Sequence, residues 1–201
     1  MFNRSKYGKI LKIVLFISII LLIGIIVITG YRMYNSYYIV TGAKAAAIQF
    51  EETVKNNRGE PNITTKYKEF TVIGTIRIPN INLKYPILQE NNTEALETSV
   101  SLVYTSQGLN NKGNSVIIGH NYRNGILFSD LKELNESDYI YIIDTIGKEG
   151  KYKIYSIYET AKDDNSYITR NTNGETEITL STITNDAKSK LIILARRDKE
   201  I

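Results

Sequence analysis

The stretch Glu177–Arg197, EITLSTITNDAKSKLIILARR, decides how the rest of this chain is read. β-Branched Ile178, Thr179 and Thr182 predict a short strand over Glu177–Thr182. Asn185 and Asp186 make Thr184–Lys188 a polar turn. The apolar run Leu191–Leu194 predicts a second strand over Lys190–Arg196. Two strands joined by so short a turn bring Ile183 and Lys190 together at one end of a sheet. An isoleucine at the mouth of such a turn is unusual, and the chemistry available there depends on it.

Upstream, SVIIG (Ser115–Gly119) reads as a buried strand that delivers His120. Val72–Ile78 and Leu83–Leu88 are further strands, the first stopped by Pro79-Asn80. Pro86 inside the second suggests an edge or the end of pairing, because proline has no N–H to donate. Tyr139–Ile143 and Lys151–Thr160 flank Gly147–Gly150 as a hairpin. Ile126, Leu127, Leu131 and Leu134 predict a short amphipathic helix over Ile126–Leu134. Ala161–Thr176 is a polar loop of the length that usually lines a site or is disordered. Seven or eight turn-punctuated strands with few helices point to an all-β barrel or sandwich.

Before this domain lies Ile13–Gly30, an 18-residue run without a charge. At ~1.5 Å per residue it spans roughly 27 Å, about the hydrocarbon core of a bilayer. A buried core helix would keep a polar face, and a signal peptide usually has a shorter apolar region. The run therefore reads as an uncleaved anchor. Arg4, Lys6, Lys9 and Lys12 precede it and only Arg32 closely follows, which predicts a cytoplasmic N-terminus and an extracellular domain. Tyr31, Tyr34, Tyr37 and Tyr38 suit an interfacial belt. Ala43–Lys55 predicts a helix, a stalk or a packed N-terminal helix, ending near Asn56–Gly59 and Pro61. The expected organisation is a basic tail over 1–12, an anchor over 13–30, a juxtamembrane helix and linker over 31–69, and a β domain over 70–201.

Composition narrows the chemistry. The chain has 25 basic and 21 acidic residues, and the four basic residues of the tail account for the whole excess. The folded part is thus neutral, which gives a nucleic-acid partner no support. The absence of cysteine removes disulfides, thiolate metal sites and a thiol nucleophile. A single histidine rules out a multi-histidine metal centre. Calcium, bound by oxygen ligands, stays open but without support, since Asp163 and Asp164 read as a solvated loop; the expectation is no metal and no cofactor. Acceptor tripeptides for glycosylation begin at Asn62, Asn91 and Asn135, a pattern that an Asn-rich chain meets by chance.

Three segments then line up: IGTIRIPNINLKYPILQ (Ile73–Gln89), NSVIIGHNYRNGILFSDLKEL (Asn114–Leu134) and TLSTITNDAKSKLIILARR (Thr179–Arg197). In this order, behind this anchor, they resemble the sortases, membrane-anchored transpeptidases of Gram-positive cell surfaces. The GHN segment and the TLST strand most resemble class B members. The likeness covers about 130 residues, roughly Phe70 to Arg197. It implies a closed β-barrel of about seven or eight strands.

In that family a cysteine after the TLxT strand attacks a peptide carbonyl of a sorting signal and forms an acyl-enzyme. A histidine after the IxGH strand moves the protons, and an arginine opening the last strand stabilises the oxyanion. Carried onto this chain, the histidine position is His120, the cysteine position Ile183 and the arginine position Lys190. Isoleucine offers no nucleophilic atom, and lysine keeps the charge without the two-pronged donor geometry. Arg196 shares strand parity with Lys190 but sits roughly 20 Å along the strand. Ser181, Thr182 and Asn121 would line the substrate groove. A Thr182–His120 dyad is disfavoured, since alternation turns Thr182 to the face opposite Ile183.

The resemblance thus implies a pseudo-sortase, a monomer on the membrane surface that binds a sorting-signal peptide or a partner sortase. The competing expectations are a cysteine-independent transpeptidase or hydrolase serving the cell wall or pilus, and a degenerate paralogue with no ligand.

Overall fold

The computed structural model describes residues 4–57, 63–122 and 125–198, with side chains from Tyr7 onward. Gly59, Pro61 and the acceptor Asn62 lie outside the described residues, as do the side chains of Arg4 and Lys6. The chain divides into two units, 1–38 and 39–201.

The first unit is helical from Arg4 onward and belongs to helix α1 (Arg4–Asn56). The helix is long and apolar enough to cross a membrane, and its most apolar window is unburied. Within the apolar run Ser18 Oγ donates to the Val14 carbonyl at 2.9 Å, and Thr29 Oγ1 to that of Ile25 at 2.8 Å. Both hydroxyls are satisfied inside the helix. Tyr31, Tyr34, Tyr37 and Tyr38 are exposed.

The second unit opens with the last part of α1. Ala43, Ala47, Phe50 and Val54 recur at helical spacing and are buried. Phe50 and Val54 pack on Phe70, Val72, Leu88 and Ala95. Glu51 accepts from Thr75 Oγ1 at 2.9 Å and from Lys84 Nζ at 2.6 Å. Of the two alternatives for Ala43–Lys55, the structure takes the packed N-terminal helix.

Nine strands follow: β1 (Thr65–Tyr67), β2 (Phe70–Ile78), β3 (Leu83–Leu88), β4 (Val100–Thr105), β5 (Gly113–Ile118), β6 (Tyr139–Asp144), β7 (Glu149–Ala161), β8 (Thr176–Ile183) and β9 (Ser189–Arg197). They form one sheet in the order β1-β2-β3-β4-β5-β8-β9-β7-β6, and β2 also pairs with β6. That pairing closes β2–β9 into an eight-stranded barrel, with β1 added outside β2. Closure removes the free edges that an open sheet would present. At the seam β2 is bulged between Val72 and Gly74, and Gly74 lies opposite Asp144. A Cβ on Gly74 would stand 2.7 Å from the Ile143 carbonyl oxygen, so only glycine lets the two backbones meet there. Ile76, Ile78, Ile87, Ile117, Ile140, Ile142, Leu180 and Ile193 fill the interior.

Pro86 agrees with its expected role: β3 joins β4 only from Ile87 onward. The helix expected over Ile126–Leu134 is replaced by an irregular segment with a single 3-10 turn, Leu131–Glu133. Its apolar residues Ile126, Leu127, Leu131 and Leu134 are buried nonetheless. Gly125 and Leu127 have positive φ values of 77° and 53°, which a helix does not accept. Helix α2 (Thr93–Thr98), β1 and β4 carried no sequence expectation; α2 is capped by Asn92, whose side chain accepts from the Ala95 N–H at 2.9 Å.

Candidate functional site

The parallel pair β5–β8 and the antiparallel pair β8–β9 end together, and each end contributes one residue. β5 runs out through Gly119 into His120. Gly119 lies close against Phe128, where a Cβ would come within 2.9 Å of the ring. Its N–H donates to the Ser181 carbonyl at 3.3 Å, and its carbonyl accepts from Thr182 Oγ1 at 2.7 Å. The histidine strand is thereby fixed to β8 one residue before Ile183. Across the next pair, Ile183 is the register partner of Lys190.

His120, Ser181, Thr182, Ile183 and Lys190 line one groove of about 310 Å³, with Leu96, Ile118 and Tyr167 among its apolar walls. The sequence-predicted site residues other than Asn121 therefore share this groove. Asn121 lies instead in a neighbouring depression with Ile183, Thr184 and Glu159. Its side-chain amide donates to the Ile183 carbonyl at 3.0 Å and to Asn185 Oδ1 at 2.8 Å.

A second apolar cluster lies outside the barrel, between its wall and the 162–175 loop. Val116, Ile192 and Leu194 pack there with Tyr167 and Ile168. The loop is held at several points. Asn114, itself buried, donates to the carbonyls of Tyr167 and Ile168 at 3.0 and 2.9 Å and accepts from Thr179 Oγ1 at 2.8 Å. Arg170 pairs with buried Glu177, which also accepts from Arg196 Nε at 2.8 Å and Tyr155 Oη at 2.9 Å. Arg196 is therefore committed to Glu177, near the opposite end of β8 from Ile183. Lys190 Nζ donates to the Asp164 carbonyl at 3.0 Å and to Asn165 Oδ1 at 2.8 Å, and lies 5.5 Å from the Tyr167 ring centroid.

Electrostatics follow the same contacts. Asp164 accepts from Thr160 Oγ1 and the Ser166 N–H, which hold its carboxyl down at about 2. Burial raises the Tyr122 hydroxyl above its ordinary value. The Tyr122 ring stands 5.2 Å from that of His120. Among the described residues no group of three or more His, Asp or Glu side chains is placed to hold a metal ion.

Leu96, Val103, Asn165, Tyr167 and Ile168 also line the groove, and sequence reasoning did not single them out. The signal for two of them was there: Tyr167-Ile168 is an apolar pair inside an otherwise polar loop.

As chemistry, the groove offers an imidazole, an ammonium and hydroxyls around an aliphatic side chain. Ser181 Oγ lies 3.3 Å from Tyr167 Oη, and Thr182 Oγ1 is bound to Gly119, so neither hydroxyl points at His120 as a partnered nucleophile.

The closed barrel brings the end of the parallel β5–β8 pair and the β8–β9 turn together on one groove. The chain belongs to the sortase family: the family model described as the sortase domain matches residues 76–198. It is 34% identical over 112 residues to sortase A of Bacillus anthracis, a match over 55% of this chain and 51% of that one. The chain thus spans about half the length of this curated relative. The fold is similar to that of a Clostridium perfringens sortase D5 transpeptidase, with a TM-score of 0.62 and 23% identity over 81% of this chain and 99% of that one. It is also similar to a Clostridium perfringens sortase C solved with the C-terminal cell wall sorting motif (TM-score 0.57, 22% identity, 80% and 90% covered).

Proposed function

We propose that this chain is a membrane-anchored pseudo-sortase: a sortase-family barrel, held at the outer membrane face by residues 13–30, that binds a peptide without cutting it. The observation that carries the reading is Ile183. It stands opposite Lys190 and shares a groove with His120, where the family's mechanism needs a sulfur, and the chain contains no cysteine. Lys190 adds to this, because its ammonium is already engaged by Asp164 and Asn165. The class B likeness rests on the GHN and TLST segments alone.

The ligand is a sorting-signal peptide of a surface protein, or a partner sortase. Support comes from the apolar walls of the groove and from the Clostridium perfringens sortase C solved with the C-terminal cell wall sorting motif. The tail charges Lys9 and Lys12 support a cytoplasmic N-terminus and an extracellular barrel. The protein acts as a monomer.

Titrating the whole chain in detergent micelles with sorting-signal peptides tests the reading. Binding without cleavage is expected. Cleavage that disappears in His120→Ala would establish a cysteine-independent enzyme instead, and the absence of both would leave a barrel with no ligand.

A further inference from the structure

The residue opposite Ile183 has a second occupation. In the described structure the Lys190 ammonium reaches across the groove to the 162–175 loop. It donates at 3.0 Å to the Asp164 carbonyl and at 2.8 Å to Asn165 Oδ1, and sits 5.5 Å from the Tyr167 ring centroid. Asn165, Tyr167 and Ile168 are the loop's contribution to the groove wall. Two further fixings hold the same loop: Asn114 on the carbonyls of Tyr167 and Ile168, and Glu177 on Arg170. Both act on the stretch after Asn165. On the leading side Thr160 Oγ1 donates to Asp164 from the end of β7, and Lys190 is the tie to β9.

We infer that Lys190 is a positioning residue: its ammonium holds the leading half of the 162–175 loop against β9, so that the Asn165–Ile168 wall stands ready before any ligand arrives. A cation with two of its three N–H donors on the loop has little left for a developing oxyanion. Preorganisation of this kind lowers the ordering cost that a ligand otherwise meets. The inference goes beyond the proposed function and stands whether or not a peptide binds.

The test is hydrogen exchange on the whole chain in detergent micelles, read at the loop amides. The Ser166 N–H bonds to Asp164 Oδ1 and the Ile168 N–H to the Asn165 carbonyl, so both report on the loop turn. In Lys190→Met both amides should exchange about tenfold faster or more, the size expected for hydrogen bonds to a charged donor. Amides of β8 and β9 should stay within about twofold, as the strand pairing is untouched. Lys190→Arg keeps charge and donors and should restore protection to near the parent level. Unchanged loop exchange in Lys190→Met would overturn the inference, and so would a failure of Lys190→Arg to rescue it. If Lys190→Met exposes the strands as well, Asn165→Ala decides: faster loop exchange over intact strands supports the tie, and parent-like exchange refutes it.

Discussion

Ile183 and Lys190 are register partners across the β8–β9 pair, and both enter the groove that His120 lines. The pair sets an aliphatic side chain beside a lysine in a chain without cysteine, the observation on which the proposed pseudo-sortase reading rests.

Ile183→Cys combined with Lys190→Arg supplies the two missing groups beside His120. Intact-mass measurement after incubation with a sorting-signal peptide should detect a thioester adduct on the double variant and none on the parent. A double variant that binds peptide yet never acylates would mean that His120 and residue 183 are not in reacting register.

Tyr167 is buried between the barrel wall and the groove, packed with Val116, Ile192 and Leu194. Tyr167→Ala should lower unfolding stability by roughly 3–5 kcal/mol, the range for large-to-small changes at buried aromatics. Urea denaturation measures this, and a loss below about 1 kcal/mol would show that the cluster is not a packed core.

Gly74→Ala places a methyl against the Ile143 carbonyl at the barrel seam, a backbone neighbour that cannot rotate away. Overpacking of that kind costs typically about 1–3 kcal/mol. The midpoint of thermal unfolding should fall accordingly, while exchange at β8 and β9 reports whether the site end follows.

Asp164 carries a pH dependence. Its carboxyl sits at about 2 against an ordinary value of 3.8, because Thr160 and Ser166 donate to the charged form. A carboxylate depressed by folding stabilises the folded state above its unfolded value, and that contribution fades as pH falls from 3.8 toward 2. Loop protection at Ser166 should weaken over that window. In Thr160→Val an NMR titration of Asp164 should move upward toward 3.8, since the largest cause is gone.

Glu177 is buried with Arg170, Arg196 and Tyr155 around it. Removing Glu177 leaves the largely buried Arg170 without its partner, whereas half-exposed Arg196 turns to solvent, so the cost is about 3 kcal/mol, the low end for a broken buried pair. Glu177→Ala should show that loss in urea denaturation and also free the loop at Arg170.

The strands around the site were legible in the sequence because they are apolar, short and punctuated. SVIIG before His120 and the pair around Asn185-Asp186 lie within a residue or two of where they were expected. The Ile183–Lys190 pairing followed from the turn length alone. The 126–134 segment misled because its apolar spacing serves burial under the barrel without helical backbone. Asn121 misled because its neighbour His120 enters the groove, whereas its own amide is drawn to the Ile183 carbonyl. The loop wall needed tertiary information: nothing local tells a reader that Asn114 will hold Tyr167, 53 residues away.

Asn121 grips the main chain of residue 183 and leaves its side chain alone. Thr182, one position earlier, is likewise moored through its hydroxyl to Gly119. The position therefore behaves as a socket whose location is set independently of what is plugged into it. The side chain at that position can thus be exchanged without rebuilding the frame around it.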